Sequence, residues 1–121
     1  MQIFVDSFDV AEIKRFHELG IIDGVTTNPT LVKNSNGFIY DILDEICKLD
    51  LTSISFEVIS TDYEGMLREA HGLKKRFNSR LTIKIPLTPD GLRACKTLRQ
   101  EGFETNVTLA FSAAQSILAA K

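Results

Sequence analysis

Five short apolar segments alternate with five longer segments of helical periodicity, and this alternation limits the fold more than any other sequence feature. The predicted strands lie at 2–6, 24–27, 54–58, 81–85 and 105–111. The predicted helices lie at 9–19, 38–49, 62–77, 88–101 and 113–120. Consecutive strand–helix units imply parallel strands joined by right-handed crossovers. We therefore expect an α/β fold that extends over residues 1–121 without a linker or a repeat.

Capping residues support the predicted helix ends. Side chains of the type that accepts hydrogen bonds from the first helical turn precede three of the helices, and glycine follows two of them. The predicted N-caps are Asp9, Thr88 and Ser112, and the predicted glycine stops are Gly20 and Gly102.

The chemistry of alternate strand residues distinguishes two possible architectures. An open sheet with helices on both faces needs apolar residues on both sides of each strand. Here one set of alternate residues is mostly apolar, whereas the other carries polar groups near the strand ends. These polar residues are Asp6, Thr26, Asn28, Glu57, Lys84, Asn106 and Thr108. We therefore predict the first five βα units of a (β/α)8 TIM barrel, with strand order 1-2-3-4-5 and a site at the carboxyl ends.

Lys84 is the most informative of these polar residues because it lies inside an apolar strand. Desolvation disfavours the ammonium form of a lysine, and a neutral amine can attack a carbonyl to form a Schiff base. The alternative is a structural one, in which Lys84 lies on a solvated face of an edge strand. Polar residues at matching positions on the other strands favour the functional interpretation.

Two carboxylates could serve such a lysine. Asp6 and Glu57 end the first and third strands on the same side as Lys84, and imine chemistry needs groups that move protons. Taken singly, each carboxylate could equally be a helix cap or a solvated residue. The candidate hydroxyl and amide partners for a polyol are Thr26, Asn28, Asn106 and Thr108.

Charge and composition exclude several classes of function. Fourteen basic and 16 acidic residues give a net charge of −2, which argues against a nucleic-acid partner. No apolar run approaches the roughly 18 residues of a membrane span, and residues 1–6 have no basic region typical of a secretory signal. Cys47 and Cys95 lack metal-ligand spacing, so we expect a reducing cytoplasm, no disulfide and no metal.

A receiver domain also has five strand–helix units and a similar length. It needs an acidic pair after the first strand, a phosphate-accepting aspartate after the third and a lysine after the fifth. Here the first strand ends in Asp6 alone, the third ends in Glu57, and Lys84 lies on the fourth. The order of these residues therefore contradicts the receiver interpretation.

Five sequence blocks, in order along the whole chain, resemble the motifs of the transaldolase family. They are Phe4-Val5-Asp6, the block from Asp23 to Leu31 with Thr26-Thr27-Asn28-Pro29, the block Ser55 to Ser60, the block Ile83 to Thr88 with Lys84-Ile85-Pro86, and the block Thr105 to Gln115. The chain is most similar to the small-subunit branch, which includes fructose-6-phosphate aldolases.

The resemblance implies a class I aldol mechanism of the pentose phosphate pathway, acting on sugar phosphates without a cofactor. It implies that Lys84 forms the Schiff base, that Asp6 handles the proton of the hydroxyl at the cleaved bond, and that Glu57 acts with a water. Thr26, Asn28, Asn106 and Thr108 would hold the dihydroxyacetone unit. The aldolase branch tends to have glutamine where Glu57 stands, so Glu57 favours transaldolase over fructose-6-phosphate aldolase.

The length departs from the family pattern. A (β/α)8 barrel takes about 250 residues, and 200 is near its lower limit. We therefore expect a 121-residue N-terminal portion, either a truncated product or an incomplete sequence, that lacks strands six to eight and the phosphate-binding residues. A catalytically inactive partial barrel stays an alternative, and a complete relative would be a homo-oligomer. An open barrel should also admit solvent to Lys84.

Overall fold

The computed structural model describes residues 1–28, 39–77 and 81–121. The described strands are β1 (Phe4–Asp6), β2 (Gly24–Thr26), β3 (Ser53–Glu57), β4 (Leu81–Pro86) and β5 (Thr105–Thr108). The described helices are α1 (Val10–Glu18), α2 (Ile39–Cys47), α3 (Tyr63–Phe77), α4 (Pro89–Gln100) and α5 (Ala113–Ala120). Strands and helices thus alternate throughout the described residues, as the periodicity predicts.

The predicted caps are present at the helix ends. The Asp9 carboxylate accepts hydrogen bonds from the backbone N–H groups of Ala11 and Glu12. Thr88 and Ser112 cap α4 and α5 through their hydroxyl oxygens. The predicted stops Gly20 and Gly102 have φ angles of 67° and 81°, in the left-handed region that glycine adopts without steric cost.

The strands form one parallel sheet in the order β1-β2-β3-β4-β5, which confirms the predicted topology and excludes the doubly wound alternative. The register places the polar residues in rows across the sheet. In one row Asp6 lies opposite Thr26, Thr26 opposite Ser55, and Ser55 opposite Thr82. In the next row, toward the carboxyl ends, Glu57 lies opposite Lys84, and Lys84 opposite Asn106. The polar candidates therefore belong to one face.

The apolar set of strand residues packs against the helices. The strand side chains Val25, Ile54, Ile83 and Ile85 are fully buried. They join one cluster with helical residues that include Ile13, Leu43, Ile46, Met66 and Leu98. Removal of this apolar surface from water is the main favourable contribution to the fold. The helices thus cover the apolar side of the sheet, and the polar rows lie on its other side.

Several predicted boundaries were wrong by a few residues. The last strand ends at Thr108 and not at residue 111, because Leu109 has a φ of 65° that breaks the extended conformation. β1 begins at Phe4, and β3 spans Ser53–Glu57, one residue earlier than predicted. The predicted helix start at residue 38 lies outside the described residues.

Candidate active site

Lys84 lies in the middle of β4 with its side chain only 14% exposed. Its Nζ is 3.2 Å from Oε2 of Glu57 on the neighbouring strand, and the Glu57 side chain is 13% exposed. The same Nζ donates a hydrogen bond of 3.1 Å to the backbone carbonyl of Thr27. The expectation that solvent reaches Lys84 freely in these 121 residues is wrong, because both partners and the sheet shield the amine.

Asp6 and Thr26 form a second pair on the same face of the sheet. The Thr26 hydroxyl donates a hydrogen bond of 2.9 Å to Oδ1 of Asp6, and the two residues are direct neighbours in the β1–β2 register. This bond orients the carboxylate at the carboxyl end of β1. A carboxylate held in one orientation is suited to accept a proton from a substrate hydroxyl.

The remaining candidates lie on or next to the strand ends. The Asn106 amide donates a hydrogen bond of 3.4 Å to the Ser55 hydroxyl. This contact joins β5 to β3 across β4, the strand that carries Lys84. Thr108 ends β5, and its backbone carbonyl accepts from the Leu87 N–H at 2.9 Å. Asn28 follows β2 and is partly buried. Two direct contacts thus pair candidates on neighbouring strands, Asp6 with Thr26 and Glu57 with Lys84.

Two residues outside the seven sequence candidates, Thr27 and Ser55, take part in this arrangement. Thr27 is fully buried, and its N–H and hydroxyl both donate to the Ser55 backbone carbonyl, at 3.0 and 3.1 Å. Ser55 is 3% exposed and accepts from Asn106. Thr27 belongs to the apolar set of alternate residues, so periodicity classed it with the core. The one sequence signal for Thr27 was a hydroxyl residue at a position of the apolar set.

The arrangement has the parts that proton transfer at an amine requires. A carboxylate lies within reach of Lys84 Nζ, and a neutral carbonyl holds the same atom from a second side. A second, oriented carboxylate, Asp6, lies on the same face, two strands from Glu57 and three from Lys84. Among the described residues, no group of three or more histidine, cysteine, aspartate or glutamate side chains could hold a metal ion. No described helix has both the length and the apolar character that a membrane crossing needs.

The chain is similar to known proteins over almost its whole length. The family described as "Transaldolase/Fructose-6-phosphate aldolase" matches residues 3–121. A protein of Anaeromyxobacter sp. (strain K) named "Probable transaldolase" is 54% identical over the whole chain, which covers 55% of that protein.

Relatives with the same name occur in other organisms. One from Geobacter metallireducens (strain ATCC 53774 / DSM 7210 / GS-15) is 48% identical, with 56% of its length covered. One from Nitrosopumilus maritimus (strain SCM1) is 45% identical, with 54% covered. The chain spans about half the length of the curated relatives it matches, so its five strand–helix units are those of a partial barrel. The chain belongs to the transaldolase/fructose-6-phosphate aldolase family.

Proposed function

We propose that this chain carries the nucleophile and the proton-transfer groups of a transaldolase, which moves a dihydroxyacetone unit from a ketose phosphate to an aldose phosphate. The observation that carries the proposal is the contact between Lys84 Nζ and Glu57 Oε2, two side chains that the sheet holds almost entirely out of solvent. A lysine is almost never buried without a partner, and a carboxylate partner can also accept its proton. We place this activity in the cytoplasm and in the pentose phosphate pathway.

In the proposed reaction, the neutral amine of Lys84 attacks the substrate ketone and forms a carbinolamine. Glu57, through a water, returns a proton to the carbinolamine hydroxyl, which leaves as water and gives the protonated imine. Asp6 then accepts the proton of the hydroxyl next to the bond that breaks. The bonding electrons pass to the imine nitrogen, and the aldose phosphate departs. The three-carbon unit stays on Lys84 and adds to the acceptor aldehyde by the reverse steps.

The polar residues around the amine suit a three-carbon polyol. Thr26 holds Asp6 in orientation, and Asn106 lies in the same row as Lys84. We propose that these two residues, with Asn28 and Thr108, bind the hydroxyl groups of the dihydroxyacetone unit and the catalytic water. The proposed substrates are sugar phosphates, and the phosphate-binding groups would belong to the half of the relatives that this chain does not match.

The second candidate function is cleavage of fructose 6-phosphate without an acceptor sugar, because the family description includes that aldolase. Glu57 favours the transferase. A carboxylate can take a proton from the carbinolamine water, whereas the amide of a glutamine cannot. The choice between the two activities therefore depends on one side chain of β3.

Reductive trapping tests the assignment of the nucleophile. The test uses residues 1–121 followed by the C-terminal part of the Anaeromyxobacter sp. (strain K) relative that lies beyond the match, hereafter the completed chain. Borohydride in the presence of fructose 6-phosphate should add a three-carbon unit at Lys84, and Lys84→Met should abolish the adduct. Lys48 is a matched control, since Glu45 raises the pKa of this exposed lysine through a hydrogen bond and its charge. An adduct at Lys48 instead of Lys84 would refute the assignment.

A further inference from the structure

We propose that Thr27 is a positioning residue for the Lys84 amine. The inference rests on the proposed function of Lys84 as the nucleophile. Thr27 follows β2 directly, is fully buried, and accepts a hydrogen bond from Lys84 Nζ through its backbone carbonyl at 3.1 Å. The place of this carbonyl therefore helps to determine where the amine lies.

Thr27 is itself held by two hydrogen bonds to a single acceptor. Its N–H donates to the Ser55 carbonyl at 3.0 Å, and its hydroxyl donates to the same oxygen at 3.1 Å. A carbonyl oxygen has two lone pairs and can accept both. The backbone bond fixes the distance between Thr27 and β3. The hydroxyl bond fixes the side-chain rotamer, which is already restricted because threonine is β-branched. Together they limit rotation of the peptide group that Lys84 contacts.

The Thr27 carbonyl gives Lys84 a partner that takes no part in proton transfer. Lys84 has a long, flexible side chain whose ammonium is a point charge, so one carboxylate sets a distance but not a direction. Glu57 at 3.2 Å and the Thr27 carbonyl at 3.1 Å hold Nζ from two sides. When Glu57 acts on the water, the carbonyl still orients the amine toward the substrate. Small misplacements of a reacting atom are costly, which makes such a second contact useful.

A role in core packing alone predicts a different response to substitution. Thr27→Val keeps the volume and removes the hydroxyl, whereas Thr27→Ser keeps the hydroxyl and removes a methyl group. A packing role therefore predicts that serine is the more harmful change. A positioning role predicts that valine is the more harmful change. Adduct formation at Lys84 should then be slow with valine and close to normal with serine.

The experiment measures adduct formation at Lys84 in the 121-residue chain, using dihydroxyacetone and cyanoborohydride as the probe. Peptide mass spectrometry gives the rate at Lys84, with Lys48 as the reference within each sample. We expect Thr27→Val to lower the Lys84 rate about tenfold, the effect of losing one buried hydrogen bond. Thr27→Ser should stay within about twofold of the parent chain, since it keeps that bond.

Each outcome of this experiment has one meaning. Equal rates at Lys84 and Lys48 in the parent chain would overturn the nucleophile assignment, and with it this inference. A faster rate at Lys84 that falls more in Thr27→Ser than in Thr27→Val, or falls in neither, would overturn the role of Thr27 alone. If Thr27→Val does not fold, a through-hydrogen-bond NMR correlation between Lys84 Nζ and the Thr27 carbonyl carbon decides. Its detection in the parent chain supports the inference, and its absence contradicts it.

Discussion

Lys84 Nζ and Glu57 Oε2 lie 3.2 Å apart, and the two residues are direct partners in the register of adjacent parallel strands. Neither side chain is more than 14% exposed. Removing water from two opposite charges has a cost that only close pairing offsets. The pair therefore places a proton acceptor directly beside the Lys84 amine.

Glu57→Gln tests this pair in the completed chain. The amide cannot accept a proton, so transfer of the three-carbon unit from fructose 6-phosphate to erythrose 4-phosphate should fall about a hundredfold or more. The measurement is the initial rate of transfer. Urea unfolding of the same preparation serves as the control that the variant is folded. Full transferase activity in this variant would show that Glu57 is structural, and the preference for transaldolase over aldolase would lose its support.

Gly91 lies in the first turn of α4, directly beside the end of the strand of Lys84. A Cβ atom at Gly91 would clash with the Pro86 backbone oxygen, and no rotamer change can relieve a contact with backbone. We expect Gly91→Ala to lower the free energy of unfolding by more than about 1 kcal/mol. Gly72→Ala is the matched control in α3, where a Cβ meets nothing within 4 Å.

The control glycine should respond in the opposite direction. Alanine at Gly72 is expected to raise the free energy of unfolding by roughly 0.5–1 kcal/mol, because it reduces the backbone entropy of the unfolded chain. Urea unfolding followed by circular dichroism measures both variants. Equal effects of the two substitutions would show that the Pro86 contact does not matter.

Glu45 makes the stability depend on acid pH. Hydrogen bonds and charges of Lys48 and Lys14 lower the pKa of Glu45 below its ordinary value of 4.5. The folded state thus keeps this carboxylate ionised at a pH where the unfolded chain protonates it. The contribution to stability is present above pH 4.5 and is lost as the pH falls through the lowered pKa.

Glu45→Gln should therefore destabilise the chain slightly at neutral pH and have no effect in strong acid. Thermal unfolding of both chains across this pH range gives the difference. The three side chains are largely exposed, so 1 M salt should remove most of it. A difference that stays constant at all pH values would contradict the ionic origin.

The 121-residue chain should have at least a hundredfold less transferase turnover than the completed chain. The completed chain supplies the half of the relatives that residues 1–121 do not match. Binding energy from the remote phosphate end of a sugar normally helps to position the reacting carbonyl. Transfer from fructose 6-phosphate, assayed side by side, measures the ratio. Comparable turnover would show that residues 1–121 suffice for catalysis.

The amino-acid sequence determined the secondary structure, the strand order and the face on which Lys84 lies. These properties follow from local periodicity: apolar Ile83 and Ile85 flank Lys84, and their burial under the helices places the lysine on the opposite side. Capping by Asp9 and Thr88 is equally local. Strand ends depend less on local sequence. Leu109, with its left-handed backbone, ended β5 three residues before the predicted end at residue 111.

Only the tertiary structure decided which groups surround the amine. The partners of Lys84 are a carboxylate one strand away and a backbone carbonyl 57 residues earlier in the chain. Every residue has a carbonyl, so no sequence pattern marks the one at Thr27 as an acceptor. Its selection depends on strand register and on the two hydrogen bonds to Ser55, which form only when β2, β3 and β4 are assembled side by side.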